Sequence, residues 1–98
     1  MTIEKTKEGQ KLNMAVLGRL DTTTAPELEA ALKSSIGDAK ELVFDFSKLE
    51  YISSAGLRVL LAAQKLMNKQ GKMVIRNVNE SVMEIFEITG FTNILTIE

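Results

Sequence analysis

Apolar and polar positions along the chain switch between two repeats, and the switches mark the elements. Over Lys11–Leu20, the residues Leu12, Met14, Val16 and Leu20 follow the two-residue repeat of a strand, with Ala15 and Leu17 at the other parity. Apolar residues at both parities predict a strand covered on both faces. Further on the repeat lengthens, and Leu28, Ala31, Leu32, Ser35 and Ile36 share one side of a helix. Thr24-Ala25-Pro26-Glu27 has the pattern of a capping box, in which Thr24 caps, Pro26 fits the first turn and Glu27 reaches back; Gly37 suits the stop.

The alternation then repeats. Glu41–Phe46 is short and rich in β-branched and aromatic residues, the pattern of a central parallel strand. Residues 47–53 read as a connection. Leu57 opens a second helix, with Leu57, Leu60, Leu61 and Met67 on one side and Val59, Ala63 and Leu66 beside them. Arg58, Lys65, Asn68 and Lys69 fall opposite, and Gly71 ends the helix. Lys72–Val78 predicts another strand. Asn79 then caps a third helix with Val82, Ile85, Phe86 and Thr89 inside and Gly90 as its stop. Phe91–Ile97 predicts a closing strand, and residues 2–6 an edge strand antiparallel to the next.

The order β-β-α-β-α-β-α-β predicts one α/β domain over residues 1–98, with a mixed, mostly parallel sheet of four or five strands. Helices between parallel strands require right-handed crossovers. A chain of 98 residues fits one domain, and its core needs no disulfide or metal.

The absence of Cys and His removes thiol catalysis, His-based acid–base chemistry and nearly every zinc or haem site, so no metal or cofactor is expected. A net charge of −1, with cations scattered among acids, argues against nucleic acid as a partner. No apolar run approaches the roughly 20 residues of a membrane span, and no signal peptide is evident. A soluble cytoplasmic protein is expected, as a monomer or a weak dimer through a sheet edge.

In open α/β sheets ligands and partners gather at the carboxyl ends of strands, where helix N-termini point. Two loops run from strand ends into helices: Asp21-Thr22-Thr23-Thr24 and Tyr51-Ile52-Ser53-Ser54-Ala55-Gly56. Small residues before Leu57 leave backbone N–H groups accessible, and the helix dipole favours negative charge beside Ser54. A phosphate ester there would add about −1.5 to −2 charges, with Arg58 one turn on as its partner. The same residues also read as plain structure: Ser-Ser as an N-cap, Gly56 as close packing, the threonines as a solvated turn, Asp21 and Asp45 as strand-end acids. Phosphorylation on Asp45 would need an acidic pair after the first core strand, where Asp21 stands alone, and a placed lysine. Without His or Cys, and with no Ser–Lys pair at sensible spacing, the residues do not predict an enzyme.

The string Tyr51-Ile52-Ser53-Ser54-Ala55-Gly56-Leu57-Arg58-Val59-Leu60-Leu61, after Leu42-Val43-Phe44-Asp45-Phe46, resembles the signature of STAS domains, and specifically of bacterial anti-sigma factor antagonists. Gly18-Arg19-Leu20-Asp21 resembles that family's Gly-x-Leu-Asp turn, and Ile88-Thr89-Gly90-Phe91 its helix-ending element. The resemblance implies a switch. The unphosphorylated antagonist binds an anti-sigma factor that is also a serine kinase and frees the sigma factor; phosphorylation releases the antagonist, and a metal-dependent serine phosphatase resets it. By the same resemblance the acceptor falls on Ser54. The surface around it falls on Asp21, Thr22, Thr23, Ser53, Ala55, Arg58 and the turn glycine Gly56. Ser53 stands where the family often has Asp, which removes a local negative charge and creates a second candidate acceptor. Other members of the family are ligand-binding or scaffold domains, and a loop such as Thr22–Thr24 beside the Ser54 helix would hold the phosphate of a nucleotide.

Overall fold

In the computed structural model, which describes residues 1–98, the chain runs β1 (Thr2–Glu8), β2 (Lys11–Leu20), α1 (Ala25–Ser35), β3 (Glu41–Asp45), β4 (Leu49–Ile52), α2 (Ser54–Gln70), β5 (Lys72–Arg76) and α3 (Glu80–Thr89). A 3-10 turn at Phe91–Asn93 follows. The sheet order is β1-β2-β3-β5; β1 is antiparallel to β2, and the other pairs are parallel. A mixed, mostly parallel five-stranded sheet carries the three helices, as the repeat pattern predicts.

The helices cover only one face. Leu12, Met14 and Val16 of β2 share a single core with Leu42, Phe44 and Ile75 from neighbouring strands and with Leu28, Leu60 and Phe86 from the helices. Burying each of these side chains contributes about 1.5–3 kcal/mol. Asn13, Ala15 and Leu17, at the other parity of β2, are only half-buried. The expectation of cover on both faces is therefore wrong for β2. Its second apolar set faces the side of the sheet that carries no helix, where Val43 and Val74 stand side by side in register, buried among their neighbours on the strands, with Asp45 and Arg76 opposite one another beyond them.

Two strand assignments also change. β4 lies inside the stretch read as a connection, and its burial runs buried-exposed-exposed-buried, with no two-residue alternation to mark it. It pairs with the far end of β2, Gly18 to Leu49 and Leu20 to Ile52, across a register shift at Gly18, whose φ of 93° favours glycine. At the C-terminus the predicted strand is a 3-10 turn followed by one parallel bridge, Ile75 to Ile97. Gly90, at φ 79°, reverses the chain after α3, and Phe91 then accepts from the N–H groups of Ile94 and Leu95, which closes a turn in place of a ladder.

The caps differ from one another. Asn79 caps α3 as predicted, its side chain accepting from the Val82 N–H at 2.9 Å. Thr24 makes no side-chain cap on α1, so the capping box does not form. Its hydroxyl instead accepts from the Asp21 N–H and donates to the Arg19 carbonyl, both at 2.8 Å. Along α2, Gln64 is buried and Leu66 is 40% exposed, the reverse of their polarity.

Candidate functional site

The parallel pairing of β2 with β4 brings the two sequence-predicted loops together. Arg19 pairs with Tyr51 and Leu20 with Ile52, and the Ser53 N–H donates to the Leu20 carbonyl at 2.9 Å. The chain therefore leaves β2 into the threonine loop directly beside the start of α2. Gly56 sets how closely α2 descends onto those strands: it is buried, and a Cβ there would meet Leu20 Cγ at 2.7 Å and Ile52 Cγ1 at 2.8 Å. Gly56 thus lies within the first turn of a helix and serves close packing, not the turn that the resemblance implied.

The two adjacent serines occupy different environments. Ser54 is the first residue of α2 and is exposed. Ser53 stands at the N-cap position with extended backbone, yet its side chain makes no cap, and its oxygen is buried without a partner. The first intrahelical bond runs from the Leu57 N–H to the Ser53 carbonyl. By helix geometry the N–H groups of Ser54, Ala55 and Gly56 have no acceptor within α2. No acid stands in that first turn to offset the positive end of the helix.

Across from it, the threonine loop is braced from within. Asp21 Oδ1 accepts from the Thr23 N–H at 3.0 Å and the Thr24 N–H at 3.1 Å. The Thr24 hydrogen bond above all holds the Asp21 carboxyl below the ordinary carboxylate range. Thr22 and Thr23 stay exposed, and Thr22 faces Ala55 and Arg58 across a groove that also contacts Pro26. Asp21, Thr22, Ser54, Ala55 and Arg58 are therefore gathered at one end of the molecule. Ser53 and Gly56 support this surface from below.

Two residues that the sequence reading did not single out join the rim. The Arg19 guanidinium lies over the Tyr51 ring, 4.5 Å from its centroid, with Asp21 Oδ2 3.8 Å from its Nε. Their place opposite one another on paired strands depends on β4, which the apolar pattern did not reveal. Asp45 stands elsewhere, paired in register with Ala15, well before the loop that holds Asp21. Its Oδ1 accepts from the Ser47 N–H and from Asn77 Nδ2, and the Ser47 bond above all lowers its pKa.

The chain matches the family model of the STAS domain over residues 2–98. BtrV of Bordetella bronchiseptica, named as an anti-sigma factor antagonist, is 40% identical over 82 residues, which cover 82% of this chain and 71% of BtrV. The anti-sigma-B factor antagonist of Listeria monocytogenes is 29% identical over 96% of this chain and 84% of its own. Among solved structures, an anti-sigma factor antagonist from Mycobacterium paratuberculosis superposes with a TM-score of 0.88 at 25% identity, covering 98% of this chain and 83% of that one. The antagonist SpoIIAA in its unphosphorylated form shares the fold alone, with a TM-score of 0.77 at 14% identity over 99% of this chain and 87% of its own. With the family model matched over residues 2–98 and the fold shared with solved antagonists, the chain belongs to the STAS domain family.

Proposed function

We propose that this STAS domain is an anti-sigma factor antagonist controlled by phosphorylation of Ser54. One observation carries the assignment of the residue: the Ser54 side chain is exposed at the head of α2, while the neighbouring Ser53 oxygen is buried. The names of the relatives support the antagonist role, and SpoIIAA has been solved in a phosphorylated form as well as an unphosphorylated one.

The unphosphorylated protein presents Thr22, Ala55 and Arg58 around a small neutral hydroxyl, a surface that an anti-sigma factor with serine kinase activity covers. In the transfer step the Ser54 oxygen attacks the γ-phosphorus of ATP. A new O–P bond forms, the bond to the β-phosphate oxygen breaks, ADP leaves and the hydroxyl proton is lost. The phosphate sits where the free N–H groups and the dipole of α2 tolerate it, so the fold need not change. Against a covering partner, however, the same phosphate is an unpaired charge taken out of water. Hydrolysis of the ester by a metal-dependent serine phosphatase returns the binding form.

The test is intact-mass and fragment spectrometry after incubation with ATP and an extract of the native host, for the wild type, Ser53→Ala and Ser54→Ala. One phosphate that disappears only in Ser54→Ala is expected. Disappearance only in Ser53→Ala would move the acceptor by one residue. No phosphate, in an extract that modifies a control antagonist, would overturn the switch.

A further inference from the structure

The groove beside Ser54 does not end at the first turn of α2. Its wall residues Glu29, Lys33 and Val59 also line a cavity of about 300 Å³ between α1 and α2, so groove and cavity adjoin as a channel along the helix pair with a shared wall. The far part is apolar, lined by Leu32, Ile36, Leu42, Ala63 and Met67, with the 40%-exposed Leu66 at its mouth. Small residues, Ala62 and Ala63, keep it open on the α2 side.

The charge along its α2 rim is one-sided. Arg58, Lys65 and Lys69 follow one another at helical spacing on one exposed stripe that runs past Ala62 and Leu66, and α2 contains no Asp or Glu. None of the three cations has an acidic partner in the molecule. The α1 rim carries the internally paired Glu29 and Lys33, 3.0 Å apart. In contrast α3 carries Glu80, Glu84 and Glu87 and no cation, so a chain of net charge −1 concentrates unpaired positive charge beside this channel.

We propose that the α1/α2 channel docks an acidic amphipathic helix of the protein partner, with the partner's apolar side chains in the cavity and its carboxylates along Arg58, Lys65 and Lys69. An apolar stripe with a flanking row of acids is the shape and charge that this channel complements. The inference rests on the antagonist reading above and extends it: the partner is held over the whole length of α2, and Ser54 stands at one end of the contact.

The test uses the full chain and the anti-sigma factor of the same cell, with affinity measured by calorimetry at low and moderate salt. The wild type is compared with Lys65→Glu/Lys69→Glu, Leu66→Asp, Ser54→Asp, and a control, Lys48→Glu, in the exposed turn before β4. Lys65, Lys69 and Leu66 are exposed, so circular dichroism should stay unchanged, and the thermal midpoint should fall by no more than a few degrees, from the acid that Lys69→Glu places at the C-terminal end of α2. The expected result is binding weaker by about tenfold or more in Lys65→Glu/Lys69→Glu, a flatter salt dependence, a similar loss in Leu66→Asp, and no change in the control. Full affinity in the two α2 variants, with binding still lost in Ser54→Asp, would overturn the channel and leave the antagonist reading standing. No binding by the wild type would overturn both. Sedimentation with anionic lipid vesicles provides a further arm. Vesicle binding lost in Lys65→Glu/Lys69→Glu, with partner affinity intact, would assign the ridge to a membrane surface and overturn the proposal.

Discussion

Gly56 lies against Leu20 so closely that a single methyl group on its Cα would come to 2.7 Å from Leu20 Cγ. Leu20 is fully buried at the end of β2, and Ile52 closes the other side at 2.8 Å, so neither neighbour has free space into which to retreat. Two effects oppose each other in Gly56→Ala. Helix propensity favours alanine by about 1 kcal/mol. Overpacking a filled site costs about 1–3 kcal/mol, and here two side chains must move at once. A net loss of about 1–2 kcal/mol is expected, read as a lower urea midpoint. An unchanged or raised midpoint would show that α2 can lift from β2 and β4 without penalty.

Ser53 separates a cap from a buried hydroxyl. If its side chain capped α2, Ser53→Ala would cost about 1 kcal/mol. In the structure its oxygen is buried and unpartnered, so the substitution removes an unsatisfied polar group and leaves the backbone bond from the Ser53 N–H to Leu20 in place. Ser53→Ala should therefore change stability by less than about 0.5 kcal/mol or raise it slightly. A loss near the full value of a cap, by urea unfolding, would show that the hydroxyl engages the helix in solution.

These two positions show how far the residues alone reach. The repeats of Leu12, Met14 and Val16 and of Leu28, Leu32 and Ile36 marked elements because each period puts apolar side chains onto one buried face. β4 escaped because its four residues bury only their ends, and its partner is reached after a bulge at Gly18. Phe91 to Ile97 predict a strand but form a turn and one bridge, because apolar residues there look alike whether they pair in a ladder or plug one edge. In the site, the small residues around Ser54 were legible as the approach to a helix, but the apolar repeat opens that helix at Leu57 and the structure opens it at Ser54. The burial of the Ser53 oxygen and the stacking of Arg19 on Tyr51 were not, since both depend on which strand lies beside β2.

Acid should loosen the loop ends. The Asp21 and Asp45 carboxyls are both held below the ordinary range, chiefly by backbone N–H donors from Thr24 and Ser47 respectively. A carboxyl whose folded pKa is depressed contributes stability above its unfolded value, about 3.9, and loses it as pH falls through the folded value. The thermal midpoint should therefore be insensitive to these groups from neutral pH down to about pH 5 and decline below about pH 4. Asp45→Asn should lie below the wild type at neutral pH, and the gap should narrow at about pH 3. A gap that stays constant between those two conditions would remove Asp45 from the acid response.

Ser54→Asp tests whether the proposed switch acts at the interface or through the fold. Residue 54 is exposed at the first position of a helix with no acid in its first turn. A carboxylate there meets the positive end of the dipole and free N–H groups, a contribution of about 0.3–1 kcal/mol in favour of the folded state. The thermal midpoint should thus stay level or rise by a few degrees. Binding should move the other way, because the same charge is desolvated against the partner. A cost of about 3 kcal/mol, reasonable for an unpaired charge buried at an interface, weakens binding on the order of a hundredfold. The two readouts separate the mechanisms. Weaker binding with an unchanged midpoint places the effect on the surface shared with Thr22, Ala55 and Arg58. Weaker binding with a midpoint lower by many degrees would mean that charge at residue 54 unseats α2 from Leu20 and Ile52, and the loss of affinity would then report a damaged fold.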